Sequence, residues 1–164
     1  MDRKPQFRVG QGYDIHPLVA DRPLVLGGVR IPFERGLAGV SDADVLLHAL
    51  GDALLGAVGR GDLGSHFPPA DPQWRDADSA DLLRRILYLV RDEGYYPVNC
   101  DLTLVAEAPT IAPYREEIRL RIANLLELPV EAVSLKATTH EGLGPVGRGE
   151  ALAALAVVLV GRSR

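Results

Sequence analysis

The chain is expected to fold as an α/β (α+β) protein: a single mixed β-sheet with helices packed on one face. Three observations predict this. The chain opens and closes on strand-like apolar segments, Phe7 to His16 and Ala151 to Val160. Three intervening stretches repeat their apolar residues with a helical period. No repeat, low-complexity block or linker divides the 164 residues, a length suited to one core, so residues 1–164 are taken as one domain.

The elements follow in order. Leu24 to Ile31 reads as two short strands turned at Gly27-Gly28, a hairpin dipeptide. Ser41 followed by Asp44 makes a capping-box-like start. Behind it Val45, Leu46, Ala49, Leu50, Ala53 and Leu54 keep a helical period to about Val58. Gly59 to Asp78 reads as a loop rich in Gly, Pro and Asp, and loops of that length are usually functional or mobile. Ser79 can cap a second helix, with Leu82, Leu83, Ile86, Leu87 and Val90 on its inner face and Gly94 as its stop. Asp101 to Ala106 is a strand, Pro113 to Leu126 a third amphipathic helix, and Val133 to Thr139 another strand. Ala151 to Val160 fits either period, and its valines favour a strand.

The bulk composition excludes some partners. A net charge of −4 offers no broad basic surface for nucleic acid or anionic lipid. A phosphorylated substrate would need a local positive centre, which a bound metal supplies. The longest apolar run, Ala151 to Val160, is short of the ~20 residues a membrane helix needs. Met1 to Pro5 is charged and no apolar signal segment follows it. The single cysteine, Cys100, allows no internal disulfide and suits a reducing cytoplasm, and its strand-like neighbours predict a buried, inert thiol. A cytoplasmic location is expected, with no membrane and no nucleic-acid partner.

Asp14-Ile15-His16 carries the clearest chemistry. On a strand, residues two apart share a face, ~7 Å between Cα atoms. His48 lies on the first helix, with Asp44 and Asp52 at i−4 and i+4 on the same face. Three protein ligands, Asp14, His16 and His48, would leave an open position on a metal, as catalytic sites do. Asp44 or Asp52 is expected to orient the His48 ring, since a metal-bound histidine usually donates its second nitrogen. On spacing alone His48 could equally pack inside the helix, with the acids solvated. His66 in the long loop reads as exposed.

The second dense segment is Lys136 to Gly144. Thr138 and Thr139, with their backbone amides, can grip phosphate oxygens, and Glu141 can hold a hard cation such as Mg²⁺. A polar turn explains the same residues. Gly147-Arg148-Gly149-Glu150 presents an arginine able to bind phosphate bidentately, or merely an exposed charge. No P-loop or dinucleotide fingerprint and no Ser-His-Asp order is present. Residue chemistry alone reaches a metal-using α/β domain acting on phosphates.

Taken in order, several motifs resemble the 2-C-methyl-D-erythritol 2,4-cyclodiphosphate synthase family of the non-mevalonate isoprenoid pathway. They are Gly12 to His16, Leu26 to Pro32, Ser41 to Val45 with His48, and Gly61 to Gly64 with Phe67-Pro68. Ala108-Pro109, Lys136 to Thr139 with Glu141, and Gly147 to Glu150 complete the set, which spans the chain from first strand to last. The resemblance implies a homotrimer with active sites between subunits. It implies one Zn²⁺ per subunit on Asp14, His16 and His48, and Mg²⁺ or Mn²⁺ with the substrate diphosphate, Glu141 assisting. It implies closure of a CDP-methylerythritol 2-phosphate to a cyclic diphosphate with release of CMP.

By the same resemblance, Asp14, His16, Val40, Ser41, Asp62, Leu63, Gly64, Phe67, Pro68, Pro69, Ala70 and Asp71 surround the methylerythritol phosphate. Ala106, Glu107, Ala108, Pro109, Thr110, Ile111 and Ala112 hold the cytosine. Thr138, Thr139, His140, Pro145 and Arg148 complete the contacts, with Thr139 a catalytic residue. Relatives also enclose an apolar channel on the trimer axis that can hold an isoprenyl diphosphate, with Arg148 facing it. Four positions depart from the family pattern: Val40 stands where a catalytic histidine is usual, Pro69 for an aspartate, Thr110 for a lysine and Pro145 for an aromatic.

Two other readings fit part of the pattern. Two histidines and a carboxylate also describe a non-haem iron oxygenase triad, against which the three helical segments argue. A zinc-stabilised trimeric ligand-binding module without turnover would hold a closed, four-ligand metal whose removal unfolds it.

Overall fold

A computed structural model describes residues 6–162. The charged Met1 to Pro5 segment, read above for the absence of a signal sequence, lies outside the described residues.

The first strand, β1 (Phe7–Ala20), is longer than its expected core and runs the length of the sheet. Two short strands follow, β2 (Leu24–Leu26) and β3 (Val29–Ile31), then β4 (Arg35–Leu37). The helix α1 (Val45–Val58) leads to α2 (Leu63–His66), a 3₁₀ turn at Pro72–Trp74, and α3 (Ser79–Asp92). The chain continues through β5 (Tyr95–Val105), α4 (Arg115–Leu126), β6 (Val133–Thr138), the single turn α5 (Gly144–Gly147) and β7 (Ala151–Arg162). The fold is mixed α+β. Its main sheet has five strands in the order β4-β1-β7-β5-β6, with β5 and β6 parallel and the other pairs antiparallel.

The expectation of a single sheet is corrected in one respect. The β2–β3 hairpin forms its own two-stranded ladder. Gly27 and Gly28 both have positive φ, 61° and 75°, so the chain reverses in two residues and the short strands pair with each other. The two glycine N–H groups donate to the Asp44 carboxylate at 2.9 and 2.7 Å, which ties the hairpin turn to the start of α1.

The ambiguous last segment is a strand. β7 lies between β1 and β5, and its face away from the helices carries the exposed apolar residues Leu155 and Val157, so apolar and polar residues do not alternate along it. β5 begins six residues before the expected start at Asp101. Pro97 hides this in the sequence, and the register shifts between Pro97 and Asn99, a bulge that absorbs the missing donor. The long loop Gly59 to Asp78 is partly ordered by α2 and the 3₁₀ turn. Cys100 is buried, and burial pushes its thiol up to about 12, which leaves it protonated and inert.

β1 alternates strictly. Val9, Tyr13 and Ile15 face away from the helices and are exposed, while Gly10, Gly12, Asp14 and His16 face α1. A Cβ on Gly12 would lie 1.9 Å from the Ala49 carbonyl oxygen, and one on Gly10 1.8 Å from that of Ala53. The two glycines therefore let the α1 backbone lie directly on the strand. This close approach brings His48, one residue before Ala49, over Asp14 and His16.

Candidate metal centre and cleft

The three expected ligands converge. Asp14 Oδ2 lies 2.9 Å from His16 Nε2 and 3.2 Å from His48 Nδ1, and the two ring nitrogens are 3.2 Å apart. Tetrahedral ligands ~2.0 Å from a zinc ion are ~3.3 Å from each other, so the spacing fits such an ion without rearrangement. Among the described residues this is the cluster able to hold a metal ion.

The remaining ring nitrogens fix the tautomers. His16 Nδ1 is 2.9 Å from the Ala38 carbonyl oxygen, which can only accept. His16 therefore carries its proton on Nδ1 and turns the Nε2 lone pair inward. His48 Nε2 is 2.8 Å from Ser79 Oγ and 3.1 Å from Ser41 Oγ; the Ser79 hydroxyl donates to Asp42 and so accepts from the ring, which puts the His48 proton on Nε2 and turns the Nδ1 lone pair inward.

This overturns the expectation that Asp44 or Asp52 orients His48. Asp44 is fully buried and engaged elsewhere. It is the N-cap of α1, accepting from Leu47 N as well as from the two hairpin glycines. Asp52 accepts from Leu63 N at 2.8 Å and anchors α2. Both carboxylates are spent on backbone donors at the ends of helices, where side-chain acceptors are most needed. Ser41 and Ser79 are correspondingly not caps. Asp44 caps α1 and Asp78 caps α3, accepting from Ala80 N at 2.7 Å. The two serine hydroxyls are thereby free to meet His48.

Charges around the triad reinforce one another. Burial works against the Asp14 carboxylate, but when the His16 and His48 rings are protonated their hydrogen bonds and positive charge outweigh it and hold its pKa at about 2. Burial likewise lowers His16, and the adjacent Asp14 more than compensates, leaving His16 above its usual value.

The triad opens into a cleft of about 380 Å³. Val40, Ser41, Asp52, Asp62, Leu63, Gly64, Phe67 and Pro69 line it together with the triad. Trp74 and Leu82 also line it. Sequence reading missed both, because a lone Trp in a loop and one Leu of a helical stripe carry no signal for a cleft. Phe67 and Trp74 meet edge to face at 5.0 Å and wall the apolar side. Asp62 caps α2, with its carboxylate on Ser65, and Asp71 caps the turn that follows Pro68, Pro69 and Ala70. His66 is tied to the Arg60 carbonyl at 2.7 Å.

A second pocket of about 170 Å³ lies elsewhere on the chain. It is lined by Ala106, Glu107, Pro109, Thr110, Ile111 and Ala112, with Thr138 and Thr139 at the end of β6. The peptide bond between Ala108 and Pro109 is cis. Glu107 accepts from His140 N at 2.9 Å, and the Thr139 hydroxyl accepts from Glu141 N at 3.2 Å, which joins this loop to the Thr138–Glu141 turn. The pocket shares no lining residue with the metal cleft. Pro145 lies in α5, and Arg148, directly after it, is exposed and ion-paired with Glu150 at 2.8 Å. Within one chain the triad and the Thr138–Thr139 region are thus separate.

Comparison with known proteins identifies the family. The YgbB family model matches residues 7–161. The 2-C-methyl-D-erythritol 2,4-cyclodiphosphate synthase of Geobacillus kaustophilus is 59% identical over 157 residues, 96% of this chain and 99% of the relative. The protein of the same name from Symbiobacterium thermophilum is 60% identical over 152 residues, 93% of this chain and 97% of the relative. The solved structure of the IspF protein of Plasmodium falciparum in complex with CDP superposes with a TM-score of 0.86 at 32% identity, covering 99% of this chain and 100% of that one. The chain belongs to the YgbB family, that of the 2-C-methyl-D-erythritol 2,4-cyclodiphosphate synthases.

Proposed function

We propose that the chain, as one synthase domain over residues 1–164, converts 4-diphosphocytidyl-2-C-methyl-D-erythritol 2-phosphate to 2-C-methyl-D-erythritol 2,4-cyclodiphosphate and CMP. It is then a phosphorus–oxygen lyase of the cytoplasmic non-mevalonate isoprenoid route. The observation that carries this reading is the Asp14–His16–His48 triad at the base of a cleft, in a chain nearly 60% identical to named synthases.

In the reaction an oxygen of the 2-phosphate bonds to the β-phosphorus of the diphosphate. The bond from that phosphorus to the bridging oxygen breaks, and CMP leaves with the electron pair. The nucleophile is already an anion, so no general base is required. A Zn²⁺ ion held by Asp14, His16 and His48, and a Mg²⁺ or Mn²⁺ ion near Glu141, would supply charge neutralisation when bound. The chain's own groups do the positioning. Ser41, Asp62 to Gly64 and Phe67 to Asp71 hold the methylerythritol phosphate folded, and tethering supplies effective molarities up to roughly 10⁵–10⁸ M. Glu107 and the Ala106–Ala112 loop take the cytosine, while Thr138, Thr139 and Arg148 donate to phosphates. ³¹P NMR of the protein with substrate, Zn²⁺ and Mg²⁺ tests this directly. Cyclic diphosphate plus CMP, lost on chelation, is expected; unchanged substrate despite bound zinc would reject the reading.

A homotrimer completes the site by bringing the cytosine pocket of one subunit to the metal cleft of the next. Supporting this, the sheet face opposite α1 carries exposed Val9, Tyr13, Ile15, Leu155 and Val157, an apolar surface of the kind that marks an interface. Sedimentation equilibrium is expected to give the mass of three chains, and a monomer at micromolar concentration would contradict it. An isoprenyl diphosphate in the trimer channel belongs to the same proposal.

Val40 lines the cleft and is 41% exposed, without a donor. Val40→His is expected to raise kcat by at least about tenfold, since one well-placed donor to a developing charge is worth about 10²–10³ in rate. An unchanged kcat in the histidine variant would show that the position has lost its role here.

Zinc affinity is expected to depend on pH through His16. Only neutral imidazole ligates, and the folded protein holds the His16 pKa above 6.5. Apparent affinity is therefore full at higher pH and falls as pH drops through the His16 range, by about tenfold per unit for one competing proton. Asp14, at about 2, stays ionised throughout. Chelator competition between pH 8 and 6 measures the slope; a flat profile would show that His16 is not a ligand.

A further inference from the structure

Ser79 and Asp42 lie behind His48, away from the cleft. Ser79 is 1% exposed, and its hydroxyl is 2.8 Å from His48 Nε2. That hydroxyl donates to Asp42 Oδ1. The other Asp42 oxygen accepts from Ser79 N at 3.0 Å, and Asp42 Oδ1 also accepts from Asp44 N at 3.1 Å. The hydroxyl's one proton is directed to the carboxylate, so toward His48 Ser79 can only accept. The direction of the chain is therefore fixed: His48 Nε2–H to Ser79 Oγ, and Ser79 O–H to Asp42. Ser41 Oγ, at 3.1 Å, is a longer and secondary acceptor that also receives Ala43 N.

We infer that Asp42 and Ser79 form a positioning relay that sets the tautomer, orientation and donor strength of His48, and so the affinity of the triad for a divalent metal. A carboxylate acting through a hydroxyl polarises the imidazole toward its Nδ1 lone pair. It does so without placing a second charge against the ring. The relay also ties three elements together, because Asp42 precedes α1, His48 lies on α1 and Ser79 begins α3. Closing the interface between α1 and α3 therefore also sets the position of the ligand. The inference rests on the reading of the triad as a metal site.

The test titrates the metal-free full-length protein with Zn²⁺ against a chromophoric chelator and records the Co²⁺ absorption spectrum of each variant. Ser79→Ala and Asp42→Asn are expected to weaken zinc by about 10- to 100-fold and to alter the cobalt ligand-field bands, as loss of an outer partner does at other metal sites. His48→Ala is expected to weaken it further. Asp78→Ala removes the α3 cap without touching the relay. It is expected to lower the melting temperature while keeping the wild-type zinc affinity. Should Ser79→Ala fail to fold, Asp42→Asn carries the comparison. Zinc affinity within about twofold of wild type in the relay variants, with His48→Ala impaired, would overturn the relay and leave the triad standing. Unchanged affinity in His48→Ala would overturn the triad and the relay together.

Discussion

Replacing Asp14 by alanine is expected to reduce kcat/KM by about 10³-fold or more and to abolish binding of added Zn²⁺ at the triad. Its Oδ2 atom is the centre of the triad, 2.9 Å from one imidazole and 3.2 Å from the other. Without it, two neutral rings 3.2 Å apart face each other with their lone pairs and no anion between them. A metal site left with two ligands loses both affinity and the geometry that keeps one position open for substrate. The Lewis-acid contribution at stake is several kcal/mol of transition-state stabilisation, and each ~1.4 kcal/mol is a factor of ten in rate. Asp14→Asn separates shape from charge. It keeps an oxygen in place but removes the anion, so it is expected to lie nearer to alanine than to wild type. Zinc content by atomic absorption and kcat/KM by ³¹P NMR measure both variants. An Asp14→Ala protein with wild-type zinc and turnover would move catalysis away from this cleft.

Much of that site is written locally in the chain. Asp14 and His16 are two apart, so any strand places them on one face, and His48 lies in a run whose period marks a helix. What puts the helix on that face is less local, yet Gly10 and Gly12 mark it, being the only side of β1 thin enough to admit a backbone. The partners of His48 were not legible. Asp44 and Asp52 share its helical face, and that local argument pointed to them. Tertiary contacts engage both with backbone N–H groups of the β2–β3 hairpin and α2. Ser79, 31 residues away, became the actual partner because Asp78 had already supplied the cap that Ser79 was expected to provide. Capping residues are near-interchangeable in sequence, so which of two neighbours caps is decided by what the other finds across the interface. Pro97 concealed the start of β5 for a similar reason: a local breaker rule yielded to a bulge. The second pocket, proposed above for the cytosine, was legible only through family motifs, since nothing in its spacing relates it to the triad.

Gly12→Ala is expected to damage stability and the metal site together, whereas Gly56→Ala, in the helix that Gly12 supports, is expected to damage neither. At Gly12 the added methyl would meet the Ala49 carbonyl at 1.9 Å and Ala53 N at 2.9 Å, both backbone atoms of α1. Neither can swing aside as a side chain can, so strand and helix must separate. Overpacking of this kind costs about 1–3 kcal/mol, occasionally more. In a chain of this size that lowers the melting temperature by roughly 2–12 °C. The helix moves at the turn that carries His48, and Gly12 lies two residues before Asp14. The 3.2 Å separation of Asp14 and His48 therefore lengthens, and zinc affinity is expected to fall with it. At Gly56 a Cβ would meet only the Gln11 carbonyl oxygen, at 3.9 Å, which is ordinary contact. Alanine there is expected to stabilise the helix interior by about 0.5–1 kcal/mol, the usual cost of a mid-helix glycine, with zinc affinity unchanged. Calorimetry and zinc competition on the two variants decide the point. If Gly12→Ala kept both wild-type stability and zinc affinity, the close seating of α1 on β1 would not be what holds the triad together.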